Sequence, residues 1–289
     1  GIVPKMRELA DKGLAITLAL SLHATTDEKR RELMPVANTY HMDELMEACA
    51  YYFEKTGRRI TFEYSLVAGV NDTPEDAVQL SALAGPLNCH VNLIPVNPIK
   101  ERNYRQSGQE EILAFLKKRK GILDGVCISG GEPTLAPELP EFLSRIRELG
   151  YDVKLDTNGS RPSVVKNLAA ADLINKVAMD IKACPSNYHA LTGVHADLDG
   201  IRETAGWLLD GHLDYEFRTT VVRELHSEKD FQEISRWLSG AKAYYLQAYR
   251  DSDGVLIPGF SACSEEEMKN YRDILSQTIP VVEIRGMEL

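Results

Sequence analysis

Short apolar runs alternate along this chain with longer stretches whose apolar residues recur at helical spacing. Between Ile2 and Lys12 the apolar positions are 2, 3, 6, 9 and 10, a helical stripe that Gly13 stops. Ile16 to Leu22 reads as a strand ending in Ser21, Leu22 and His23, after which Thr26 and Asp27 cap a charged helix that breaks near Pro35. Met42 to Lys55 is the next amphipathic helix, and Ile60 to Val67 is a strand rich in aromatic and β-branched residues. Thr73 as cap and Pro74 at the first helical position start another helix, and His90 to Val96 is a third strand. The polar segment Lys100 to Gln109 then reads as a linker.

The alternation resumes beyond it. Helices are expected at Glu110 to Lys120, Leu139 to Leu149, Pro162 to Ala170, Gly200 to Leu209 and Lys229 to Leu238. Strands are expected at Val126 to Ile128, Asp152 to Thr157, Lys176 to Ile181, Tyr215 to Val222 and Tyr244 to Tyr249. Ser264 and Glu267 form a capping box that opens a last helix, and Val281 to Ile284 is a short final strand. Repeated units of this kind imply an α/β fold of parallel strands with helices packed outside. Eight such units suffice for a closed TIM-like barrel, whereas three before the linker and five after it also fit two partial barrels, 1–107 and 108–289.

Composition narrows the class only slightly. The chain has 289 residues, 44% hydrophobic and 26% charged, with no apolar run of membrane-spanning length, so no membrane association is expected. It begins at Gly1, consistent with processing or with a piece of something longer. The net charge of -10 argues against a surface built to grip phosphate backbones, although residues 1–107, with 12 basic and 14 acidic side chains, are nearly neutral. Five scattered cysteines, at 49, 89, 127, 184 and 263, fit reduced thiols in a cytoplasmic protein better than a disulfide framework.

In a parallel α/β fold, chemistry sits at the carboxyl ends of the strands. Ser21, His23, Asn97, Glu132, Asp156, Asn158, Asp180, Lys182, Arg218 and Arg250 fall at or near those ends. The stretch from Gly125 to Leu135 stands out, because a buried strand runs into Gly130 and Gly131, and Glu132 follows. Paired glycines let backbone approach a ligand, and an adjacent acid accepts its hydrogen bonds. Cys127 reads as a core thiol, Trp207 and Trp237 as core-facing, and the basic residues from Lys117 to Lys120 as a solvated helix end.

Gly130-Gly131-Glu132-Pro133, Lys154 to Ser160, Met179-Asp180-Ile181-Lys182 and Arg218 to Val222 together resemble the radical S-adenosylmethionine activating enzymes of anaerobic ribonucleoside-triphosphate reductase, over residues 108–289. Ser21-Leu22-His23-Ala24, Phe62-Glu63-Tyr64, Gly69 to Asp72 and Val91 to Pro98 resemble the second half of the radical S-adenosylmethionine ribosomal-RNA adenine methyltransferases, over residues 1–107. The resemblance implies S-adenosylmethionine and a 4Fe-4S cluster held by a CxxxCxxC loop, with reduction yielding a 5'-deoxyadenosyl radical. It implies cofactor contacts from Gly130, Gly131, Glu132, Asp180 and Lys182 in the larger part, and from Ser21, Leu22, His23 and Asn97 in the smaller. The implied partners are a glycyl-radical reductase for one part and ribosomal or transfer RNA for the other.

No CxxxCxxC occurs in these residues, and a cluster loop needs its thiolates close together. The sequence therefore predicts two truncated pieces joined at Arg105 to Gln109, without radical chemistry of their own. Two alternatives stand beside that reading: a non-catalytic scaffold that binds the cofactor or a partner, and a barrel lyase or aldolase forming an imine on Lys182.

Overall fold

The computed structural model describes residues 1–13, 16, 18–95, 107–118, 125–192, 197–249 and 259–287. The chain divides into two compact units, one of Gly1–Val126 with Glu141–Asp152 and one of Cys127–Pro140 with Val153–Leu289. Of the predicted linker, Lys100 to Gln109, residues 100–106 lie outside the described residues, and with them the first two residues of the expected join at 105–109.

The first unit runs α1 (Val3–Asp11), β1 (Ala19–Ser21), α2 (Asp27–Leu33), α3 (Met42–Thr56), β2 (Ile60–Leu66), α4 (Pro74–Ala84), β3 (Cys89–Pro95) and α5 (Gln109–Lys117). Its sheet has the order β1-β2-β3, with parallel ladders that set Ser21 opposite Glu63 and Phe62 opposite Val91. Alternation along β2 decides which face is core. Ile60, Phe62, Tyr64 and Leu66 are buried, and they pack with Leu20, Leu45, Tyr52, Leu80 and Phe115. Thr73 caps α4 by accepting from the Asp76 N–H at 3.2 Å, and Asp76 itself is fully buried against Lys29 Nζ at 2.6 Å.

β4 (Gly125–Ile128) begins the second sheet, and α6 (Leu139–Glu148) follows it. Next come β5 (Asp152–Thr157), α7 (Pro162–Ala170), β6 (Lys176–Asp180), α8 (Tyr188–Thr192), α9 (Leu198–Leu209) and β7 (Asp214–Val221). The chain closes with α10 (Glu228–Trp237), β8 (Tyr244–Ala248), α11 (Glu265–Leu275) and β9 (Val282–Arg285). The six strands lie in the order β4-β5-β6-β7-β8-β9, and the registered ladders from β5 to β9 are parallel. This is the α/β architecture of repeated strand-helix units expected from the sequence, with which a TIM-like barrel is compatible.

The six-stranded sheet has two chemically distinct faces. Val153, Leu155, Val177, Met179, Tyr215, Phe217, Tyr244 and Leu246 are buried on one, where Phe217 lies 5.2 Å from Tyr215 and 6.4 Å from Tyr244 by ring centroids. The alternate positions, Lys154, Asp156, Lys176, Asp180, Glu216 and Arg218, carry charge on the other. Cys127 is only partly buried and faces Asp156, unlike the core thiol expected. Trp207 is half-buried and stacks on His212 at 5.3 Å, and Trp237 is also half-buried. Phe217→Ala should lower the stability of this unit by about 3–5 kcal/mol in urea unfolding followed by tryptophan fluorescence, and a loss below about 1 kcal/mol would contradict the packing described.

Candidate functional site

The loop after β4 is built around two left-handed glycines. Gly130 has φ 105° and Gly131 φ 56°, values that side-chain-bearing residues avoid, and a Cβ added at either would meet no atom within 4 Å. Their backbone therefore stands open. Both oxygens of Glu132 are engaged within the protein: Oε1 accepts from the Thr134 N–H at 3.2 Å, Thr134 Oγ1 at 2.5 Å and Thr157 Oγ1 at 2.7 Å, and Oε2 accepts from the Asn158 N–H at 2.6 Å. Glu132 thus clamps the glycine loop to the end of β5.

A cavity of about 250 Å³ opens beside this clamp, between Ser129 to Gly131 on one side and Asp156, Asn158, Asp180, Lys182 and Arg218 on the other. Arg218 joins the two aspartates. Its Nε pairs with Asp180 Oδ1, and its Nη1 lies 3.0 Å from Asp156 Oδ2. Lys182 Nζ holds the other oxygen of Asp180 at 2.8 Å. Farther along the same face, Glu216 receives Lys176 at 3.1 Å, Lys154 at 3.4 Å and Arg285 at 3.6 Å.

Burial opposes ionisation of Asp180, but Lys182 and Arg218 outweigh it and hold the carboxyl below its ordinary range. Burial likewise opposes the charge on Glu216, and Lys154 and Lys176 overcome it. Behind the rim, His226 Nδ1 accepts from the Val222 N–H at 3.1 Å, so its Nε2–H donates to the Lys182 carbonyl at 3.0 Å. Tyr188 Oη accepts the Lys182 N–H at 3.2 Å. The backbone at Lys182 is fixed while its amine, half-exposed and ion-paired, reaches the cavity, which does not fit a desolvated imine-forming lysine.

Of the residues expected from sequence, Gly130, Gly131, Glu132, Asp180 and Lys182 come together here in the second unit. Ser21, Leu22 and His23 gather at the end of β1 in the first. Ser21 is exposed, whereas Leu22 is fully buried in the core, its N–H donating to the Glu63 carbonyl at 2.9 Å and its carbonyl accepting from the Ala24 N–H at 2.8 Å. His23 is half-buried with φ 55°, a conformation that costs about 1–3 kcal/mol for such a residue. Burial, and then the Arg30 guanidinium, lower its pKa. Asn97 and Arg250 lie outside the described residues. Sequence reading did not single out Ser129 or Thr157, whose place depends on which strand ends become neighbours.

Residues 89–238 match the Radical SAM superfamily, just over half of the chain. The chain belongs to that superfamily. It is 63% identical over 140 residues to a protein of Lachnospira eligens named "Probable dual-specificity RNA methyltransferase RlmN", covering 44% of this chain and 40% of the relative. A Clostridium perfringens relative of the same name is 48% identical over 167 residues, covering 58% of this chain and 43% of that one. The chain thus spans less than half the length of these curated relatives. The crystal structure of Streptococcus suis SuiB bound to S-adenosylmethionine matches with a TM-score of 0.52 at 14% identity, over 65% of this chain and 45% of SuiB, a likeness of fold alone. The superfamily match runs unbroken across residues 105–109, and the Clostridium match exceeds the first 107 residues, so neither marks the join expected there.

The superfamily implies S-adenosylmethionine and a 4Fe-4S cluster. An open glycine backbone flanked by carboxylates and by Lys182 and Arg218 fits the zwitterionic end of that cofactor. The five cysteines do not fit the cluster: they stand at 49, 89, 127, 184 and 263, none within a few residues of another, whereas a cluster loop takes closely spaced thiolates. Among the described residues no helix is long and apolar enough to cross a membrane.

Two outcomes follow from this geometry. The folded state keeps Asp180 and Glu216 ionised below their ordinary values of 3.8 and 4.5, so it binds fewer protons than the unfolded chain in that range. Stability is full above those values and declines as pH falls through and below them; Asp180→Asn and Glu216→Gln should each shrink that acid-side loss in urea titrations, and an unchanged pH profile would contradict the pairing. Anaerobic reconstitution should give iron and acid-labile sulfide below cluster stoichiometry, whereas a stoichiometric chromophore that bleaches with dithionite would show the cysteines converging.

Proposed function

We propose that the cavity of the second unit is the S-adenosylmethionine site of this superfamily member. The observation that carries the reading is the open Gly130-Gly131 backbone facing paired charges of both signs, Asp156 and Asp180 against Lys182 and Arg218. The carboxylates and the glycine loop would receive the cofactor's ammonium, and the two cations its carboxylate. Bound to a reduced cluster, the cofactor supplies a radical; the cluster's thiolates would come from cysteines outside these residues, on this or another polypeptide.

The finer assignment follows the two resemblances. Residues 1–107 are read as a partial barrel of the RNA adenine methyltransferase type, supported by the RlmN-named relatives, with Ser21, Leu22, His23 and Asn97 as its cofactor contacts and RNA as its substrate class. Residues 108–289 are read as a partial barrel of the glycyl-radical activating type, on the combination of Gly130 to Pro133, Lys154 to Ser160, Met179 to Lys182 and Arg218 to Val222.

Equilibrium dialysis with labelled S-adenosylmethionine tests the site. Saturable binding is expected, and Lys182→Met, which keeps an exposed side chain of similar length, should weaken it by about 10–100-fold, the loss of one charge-assisted contact. Absence of binding, or equal affinity in a variant with unchanged circular dichroism, would refute the reading.

A further inference from the structure

In the first unit, Asn71 is fully buried, and its side-chain amide is completely committed. Oδ1 accepts from the Val67 N–H at 2.7 Å, and Nδ2 donates to the His23 carbonyl and to the Ser65 carbonyl, both at 2.7 Å. One amide therefore bridges the turn after β1 to the end of β2. The Asn71 carbonyl is held in turn by Tyr64 Oη at 2.9 Å, from the core face of β2. These contacts tie down the left-handed backbone of His23, which otherwise carries a conformational penalty.

The ring is set by the same geometry. His23 Nδ1 lies 3.1 Å from the Ser65 nitrogen, whose N–H can only donate, so Nδ1 carries a lone pair and the single ring proton sits on Nε2. A second ring proton, on Nδ1, would point at the Ser65 N–H. Nε2 makes no hydrogen bond among the described residues. We propose that Asn71 is the positioning residue that presents His23 as an uncharged Nε2–H donor to an acceptor oxygen, a carboxylate or hydroxyl, of S-adenosylmethionine bound at the first unit's own strand ends. This rests on the reading of His23 as a cofactor contact. It adds the protonation state, the donating atom and the residue that fixes both. The buried Arg30 guanidinium nearby favours the same uncharged form.

Long-range nitrogen–proton correlation spectra of the isotope-labelled chain read the ring directly, with the His23 signal assigned by its loss in His23→Gln. The unaltered chain should show the Nε2–H tautomer, and Asn71→Ala should mix the two tautomers. An Nδ1–H ring in the unaltered chain, or an unchanged tautomer in folded Asn71→Ala, overturns the proposal, since a merely structural asparagine would lower stability without moving the ring.

Dialysis with S-adenosylmethionine on a Lys182→Met background, which weakens the second unit's cavity, gives a second readout that does not require Asn71→Ala to fold. On that background His23→Gln keeps an amide donor where Nε2 stood and should bind within about threefold of the chain with His23 intact, whereas His23→Asn reaches only the Nδ1 position and should lose about tenfold. Equal losses in the two variants overturn the donor assignment. If the unaltered chain binds no S-adenosylmethionine, the cofactor reading fails, and the spectra alone still decide the role of Asn71.

Discussion

Arg218 lies between two carboxylates that leave the ends of β5 and β6, and the charged face of the six-stranded sheet depends on that placement. Neither Asp156 nor Asp180 has strong solvent access, and two such anions side by side would repel each other in a medium less polar than water. The guanidinium suits the gap because its planar edge offers several donors in fixed directions. With Arg218 in place, Asp180 can also hold Lys182, and the cavity acquires both signs of charge within one small space. A buried ion pair adds little net stability over well-packed apolar residues, so the arrangement is better understood as a device for fixing charges where a zwitterion is received.

The glycine loop reaches the same space by a different route. Glu132 spends its carboxylate on Thr134, Thr157 and Asn158, and so couples the turn after β4 to the turn after β5. An acid here orders the loop while the glycines leave its backbone exposed. The first unit uses an uncharged counterpart, in which Asn71 bridges the turns after β1 and β2. In both units a side chain from one loop satisfies backbone groups of another, which is how irregular segments at strand ends become rigid enough to preorganise a site.

Much of the fold is legible in the sequence because period and punctuation agree. Asp152–Thr157 and Pro162–Ala170 occupy their expected bounds, since strict alternation marks the strand and Pro162 marks the helix start. The five-residue helix Tyr188–Thr192 is invisible to periodicity, being barely longer than one turn. The site is half-legible. Strand ends and the Gly130-Gly131 pair locate Asp180 and Lys182, but the partners of each charge follow from register, and nothing local in sequence says that Glu132 meets Asn158. Cys127 misleads for the same reason: a thiol in an apolar run looks like core until the neighbouring strand sets Asp156 against it.

A double-mutant cycle on Asp156→Asn and Arg218→Met, read by urea unfolding, tests most directly whether this pair organises the charged face. Arg218→Met leaves Asp156 without its guanidinium, and Asp156→Asn leaves Arg218 with Asp180 alone, so the double variant should recover about 1–3 kcal/mol relative to the sum of the singles. Additivity to within about 0.5 kcal/mol would contradict it, and would reduce the Asp156–Arg218–Asp180 arrangement to contacts of no consequence for the site.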